Sequence, residues 1–290
     1  MSSTITERRV VKVITGQATS DGAGVRLSRV IGTPALDHLD PFLLLDEFKS
    51  DKPDDYLAGF PDHPHRGFET VTYMLAGSMR HKDHVGNQGE LVAGSVQWMT
   101  AGRGIIHSEM PIQKDGLMWG FQLWVNLPAR DKMTAPRYQD IPPDKIPEVA
   151  LVDGVRARVI AGEAGGVQGP VEGITTQPLY LDVSMAPRAK LSHELPAGHN
   201  AFAYVYDGRV RFGPADGDGT EILSTGQLAV LADGERMSAA SVDGHARFLL
   251  LAARPLREPI ARYGPFVMNT QAELAQAVDD YRMGKMGHLD

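Results

Sequence analysis

Apolar positions along the chain fall into short runs rich in Val, Leu, Phe and Tyr, each closed by turn residues. The runs 9–14, 42–45, 69–75, 120–125, 179–183, 201–206, 227–231 and 247–251 read as strands. Pairs such as Ala76-Gly77 and Asp207-Gly208 supply the turns. Many short strands at close intervals predict an all-β architecture, a sandwich or barrel. A helical period stands out near the end, in "NTQAELAQAVDDYRMGKMG". Thr270 with Glu273 makes a capping-box pattern, Leu274, Ala277, Val278 and Tyr281 share one helical face, and Gly284 is the stop. This helix is expected to pack on the second of two domains.

Two domains are expected from length, and the pattern supplies the division. Pro128, Pro136, Pro142, Pro143 and Pro147 crowd residues 128–148, which predicts a linker without regular strand or helix. The expected domains are 1–130 and 131–290. The halves also repeat each other. "HRGF" at 65–68 matches "HNAF" at 199–202, and "GSVQWMTAG" at 94–102 matches "GQLAVLADG" at 226–234. Where the first copy has His63, His65, Glu69, His107 and Glu109, this alignment puts Ala197, His199, Ala203, Ala239 and Ser241 in the second. The glycine framework persists while the ligand-type side chains are mostly lost, so a site is expected in the first copy alone.

Composition narrows the chemistry. The chain has no cysteine, so disulfides, thiolate ligands and a cysteine nucleophile are excluded. A formal net charge of -7 without a basic face argues against direct nucleic-acid binding. The start "MSSTITERRVVKV" lacks a signal-peptide core, and no apolar run suggests a membrane span, so a cytoplasmic protein is expected.

The stretch "HPHRGFETVTY" places His63 and His65 on one face of an extended strand. "TAGRGIIHSEMP" supplies a second such pair, His107 and Glu109. Three imidazoles and a carboxylate suit Fe, Mn, Co, Ni, Cu or Zn and leave coordination positions open. Glu69 competes with Glu109 for the fourth place; the carboxylate left over is expected to pair with Arg66 or Arg80 or to face outward. His81 and His84 in "SMRHKDHVG" read as hairpin-turn residues, with a place for His81 at the site mouth as the alternative. His38, His193, His199, His245 and His288 receive no role. Phe42, Phe60, Trp98, Trp119 and Phe121 are available for an apolar wall, though such residues are more often simple core.

The block "FPDHPHRGFETVTYMLAGSMRHKDHVGNQGELVAGSVQWMTAGRGIIHSEMP" resembles the pirin family, a branch of the cupin superfamily. The first cupin motif fits at His63, His65 and Glu69, with Gly77 one residue late. The second fits at Gly94 and Gly102, with Thr100 in place of a proline and His107 two residues late; these departures are the pirin form. "DPFLLLDEF" and "GPFVMNTQAELAQAVDDYRMGKMG" look like further pirin segments. The resemblance implies two stacked cupin barrels (double-stranded β-helix, or jelly-roll) with metal only in the N-terminal one. It implies His63, His65, His107 and Glu109 as ligands, one divalent metal per chain, and iron(II) as the usual ion. It also implies similarity to quercetin 2,3-dioxygenases, which cleave a flavonol with O2, releasing carbon monoxide and a depside; Glu109 would be ligand and base. Two other roles remain open: a redox-sensing regulator that binds a transcription factor or metabolic enzyme, and a storage-type bicupin.

Overall fold

Strand Phe68–Ala76 shows how side-chain alternation builds the molecule. Thr70, Thr72 and Met74 face one side and Glu69, Val71 and Tyr73 the other, yet all six are buried. A strand covered on both faces needs no polar alternation, which is why it reads as a nearly unbroken run.

The computed structural model describes residues 5–214 and 217–287. His288 lies outside the described residues. Two units form. The first contains Gln17–Pro143 and the chain from Leu256 onward; the second contains the residues up to Gly16 and Asp144–Pro255. The division expected at 130/131 therefore falls at 143/144, and each chain end joins the unit opposite to the one expected. Strand Val10–Thr15 adds to the sheet of the second unit by pairing with Gln227–Leu231. The helix Gln271–Arg282 packs Leu274 and Ala277 against Phe266 and Met268 of the first unit. Its start is the capping box expected, with Glu273 N–H donating to the Thr270 hydroxyl and Thr270 N–H to the Glu273 carboxylate.

In the first unit one sheet runs Arg137–Ile141, Val96–Thr100, Phe68–Ala76, Met118–Asn126, Phe42–Ser50, Val25–Ile31, Gln17–Asp21. A smaller sheet runs Phe60–His65, Ile105–Pro111, Met79–Asp83, Gln88–Leu91. The second unit repeats both orders with Val10–Thr15, Gln227–Leu231, Asn200–Asp207, Ala246–Ala253, Leu179–Met185, Val155–Ala161, Glu148–Val152 and with Lys190–Glu194, Arg236–Ser241, Arg209–Phe212, Glu221–Ser224. The internal repeat is thus a repeat of topology.

Strand Arg137–Ile141 corrects the reading of residues 128–148 as devoid of regular structure. Pro136 and Pro142 bracket it, and it pairs at the sheet edge, where flanking prolines break no ladder. Register also corrects the repeat alignment. His63 faces His107 in the first unit, and Leu191 faces Ala239 in the second, so Leu191 rather than Ala197 takes the place of His63. Leu191, Val210, Phe212 and Ala239 belong to a continuous apolar core in which Phe212 meets Phe248 edge-on at 5.1 Å. Among the described residues, no helix is long and apolar enough to cross a membrane.

Candidate metal centre

His63 and His65 lie two apart on strand Phe60–His65, and His107 sits opposite His63 on the neighbouring strand. Directly opposed residues of antiparallel strands hold their side chains about 5 Å apart. The three rings accordingly meet, with centroids 4.6 Å apart for His63 and His65, 4.5 Å for His63 and His107, and 5.0 Å for His65 and His107. One ring nitrogen of each lies within 4.8 Å of the others.

Burial, followed by the charges of neighbouring imidazoles, holds His65 and His107 well below the ordinary histidine value, so both are neutral with a lone pair to offer. The Nδ1 of His65 and both ring nitrogens of His107 are buried without a protein partner. Nδ1 of His63 lies 2.8 Å from the Pro61 carbonyl. Only a protonated nitrogen can bond a carbonyl, so the His63 tautomer leaves Nε2 free. Orphaned buried nitrogens on His65 and His107 are costly, and three imidazoles that converge this way fit a divalent transition metal.

Glu109 is buried on the same strand as His107, two residues on, and faces the same barrel interior. It is not one of the three groups whose ligand atoms meet within 4.8 Å. Its Oε1 accepts the Thr72 hydroxyl at 2.9 Å. Glu69 points the other way. Its carboxylate accepts the Thr100 hydroxyl at 2.7 Å, and burial pushes it up to about 7 against that hydrogen bond. Neither Arg66 nor Arg80 pairs with it; they bond Asp280 and Glu90.

A belt of polar side chains crosses the barrel interior in register. Arg29 is paired with Asp46, Asp46 with Gln122, Gln122 with Thr72, Thr72 with Gln97 and Gln97 with Asp140. Arg29 bonds Asp46 through two N–H groups at 2.9 and 2.7 Å, which holds the guanidinium above its ordinary value. Gln97 donates to Asp140 at 2.8 Å, and His81 Nε2 lies 3.1 Å from the same carboxylate. Burial would raise Asp140, but the bonds from His81 and Gln97 hold it below the usual carboxylate range. His81 is therefore not a turn residue at the mouth. It lies on strand Met79–Asp83 opposite Glu109, is 1% exposed and stacks on Tyr138 at 5.1 Å. His84 does occupy the turn, half-buried, where it accepts the Ile106 N–H.

Beside the imidazoles opens a cavity of about 560 Å³. Its apolar wall is Leu27, Leu44, Phe48, Phe60 and Trp124; its polar groups include Glu109, Gln122, Asp46, Arg29 and Arg262. Of the five aromatics expected as wall, only Phe60 lines it. Phe42, Trp98 and Phe121 are fully buried elsewhere, and Trp119 donates to Glu47. Trp124 was missed. It stands two residues from Gln122 on one strand face, packs edge-on to His65 at 5.4 Å, and carries the Arg262 guanidinium over its ring at 4.9 Å. Alternation along Met118–Asn126 could have found it.

The turn after His65 is pinned from behind. Gly67 has φ +88°, and a Cβ there would lie 2.0 Å from the Val267 carbonyl. The buried Lys132 ammonium donates to the carbonyls of Gly67 and Val267 and to Asn126 Oδ1 at 2.8, 3.0 and 2.7 Å. Arg66 bonds Asp280 of the helix at 2.7 Å.

Family models and relatives agree with this architecture. Residues 24–125 match the pirin model and residues 180–287 the pirin C-terminal cupin domain. The pirin-like protein of Caulobacter vibrioides is 50% identical over 96% of this chain and 99% of its own length. Human pirin is 45% identical over 97% of this chain and 94% of its own. A crystal structure of quercetin 2,3-dioxygenase from Acinetobacter baumannii superposes with a TM-score of 0.89 at 34% identity, covering 98% of this chain and 100% of that one. With the repeated cupin topology and three converging imidazoles in one unit, these matches establish that the chain belongs to the pirin family.

Proposed function

We propose that the protein is a cytoplasmic, metal-dependent dioxygenase resembling quercetin 2,3-dioxygenase, which cleaves a flavonol with O2 to a depside and carbon monoxide. The observation that carries the reading is three converging imidazoles, with unpartnered buried nitrogens on His65 and His107, beside an apolar-walled cavity that Glu109 also lines. His63, His65, His107 and Glu109 would hold one divalent metal, iron(II) first among the candidates. A bound metal would supply Lewis acidity and a path for electrons to O2. The protein supplies the rest. The cavity is of a size that takes a small polycyclic ligand. Trp124, Phe60 and Phe48 give flat apolar surface for the ring system. Glu109 accepts the proton of the flavonol 3-hydroxyl, a base worth a factor of about 10² to 10⁴.

The test incubates iron-loaded protein with quercetin and follows both loss of flavonol absorbance and release of carbon monoxide. Loss well above that of the His107→Ala variant is expected. Metal bound at one per chain with no turnover would overturn the enzyme and favour a metal-sensing protein that binds a partner protein.

A further inference from the structure

The Thr72 hydroxyl lies 2.9 Å from Glu109 Oε1 and 2.7 Å from Gln122 Oε1. Thr72 is 1% exposed and Glu109 4%, so water has little access to either. A hydroxyl has one proton, and a carboxylate and an amide oxygen both need one. All three groups are satisfied when Gln122 turns its NH2 towards Thr72: the amide donates to the hydroxyl and the hydroxyl donates to Glu109. The oxygen and nitrogen of an amide exchange places by a simple flip. Gln122 and Thr72 are backbone register partners on the larger sheet, so this pair presents a fixed donor to Glu109, which stands on the smaller one. Threonine is stiff about its first side-chain torsion. The carboxylate is thus pinned by one oxygen, and the other remains for the metal or the substrate proton.

We propose that Thr72, steadied by Gln122, is the positioning residue for Glu109; the inference rests on the metal-centre reading above. Valine has the shape of threonine and suits a strand equally well, so the hydroxyl is not required for packing. Partners of this kind behind a metal ligand change metal affinity by about 10- to 100-fold when removed.

The experiment titrates the full-length wild type, Thr72→Val and Thr72→Ser with cobalt(II), reading the visible d–d absorption, with thermal unfolding in parallel. Thr72→Val is expected to remain folded, with an unfolding midpoint lowered by the two unmet buried groups, and to bind cobalt about 10-fold or more weakly with an altered spectrum. Thr72→Ser is expected to restore affinity and spectrum. In quercetin turnover the valine variant should lose kcat with little change in KM. A valine variant with wild-type spectrum and affinity would overturn the proposal, as would a serine variant as impaired as valine. Should Thr72→Val not fold, Gln122→Leu carries the same test, because it removes the bond that steadies the hydroxyl. Wild-type protein that takes up no cobalt would overturn the metal-centre reading itself, a failure distinguishable because no substitution is involved.

Discussion

Glu69 and Thr100 are cross-strand partners, and the Thr100 hydroxyl donates to the Glu69 carboxylate at 2.7 Å on the sheet face opposite Thr72. The acid that follows the first two histidines in sequence is therefore turned away from them by strand alternation, and its chemistry is that of a buried carboxyl.

That placement makes stability depend on pH. Burial raises Glu69 from 4.5 to about 7, so between those values the folded chain holds a proton that the unfolded chain releases. Stability contributed by this group is complete below about 4.5 and is lost as pH rises through about 7. Glu69→Gln keeps the acceptor for Thr100 and removes the ionisation. Urea unfolding at pH 8 should show the variant more stable than wild type by about 1–3 kcal/mol. At pH 5 the two should nearly coincide; an equal difference at both values would contradict the assignment.

Removing any one of the three imidazoles should empty the centre. His63→Ala, His65→Ala and His107→Ala are each expected to fall from about one metal per chain to a small fraction after dialysis, measured by elemental analysis, because affinity drops by at least about 10-fold. The fold should survive in each, since the second unit builds the same topology with Leu191 and Ala239 where the first has His63 and His107.

Glu109→Gln and Glu69→Gln should separate in activity. The first is expected to lower quercetin turnover by about 10²- to 10⁴-fold. The second should leave turnover unchanged at pH 7.5. Initial rates with iron-loaded protein check both, and equal losses would return Glu69 to the site.

Trp124→Ala should weaken flavonol binding, while Trp119→Ala should not. Losing aromatic stacking and its buried area costs about 1.5 kcal/mol or more, close to a 10-fold rise in Kd. Calorimetric titration with quercetin without O2 measures it, and an unaltered Kd for Trp124→Ala would remove that ring from the binding wall.

Lys132 offers a test away from the chemistry. Its ammonium satisfies three buried acceptors, and Lys132→Met strands all of them. A loss of about 2–4 kcal/mol is expected by chemical denaturation, from the usual cost of unmet buried acceptors. A variant as stable as wild type would show that the turn behind His65 holds without this clamp.

How far the sequence could be read depended on the range of the interactions. The capping box at Thr270 is local, and the helix stands where its pattern put it. His63, His65 and His107 were legible because two-residue spacing on a strand survives any packing. Which of Glu69 and Glu109 shares their barrel interior was not, since the answer depends on which face of Phe68–Ala76 turns inward. Trp124 and His81 were missed for a related reason. An aromatic or a histidine within a buried strand looks the same in sequence whether it lines a cavity or fills a core. The edge strand Arg137–Ile141 hid among prolines that border it rather than interrupt it.

The crossed ownership of the chain ends has a consequence for dissecting the molecule. A fragment cut after residue 130 would carry Val10–Thr15 with no ladder to join and would lack both Arg137–Ile141 and the Pro265–Met268 backing to the turn at Gly67. Its complement would expose the flank of Gln227–Leu231 as bare backbone, an invitation to aggregation. Neither half of the chain carries a whole unit, and a lesion in the first dozen residues will be felt in the half of the protein that is synthesised last.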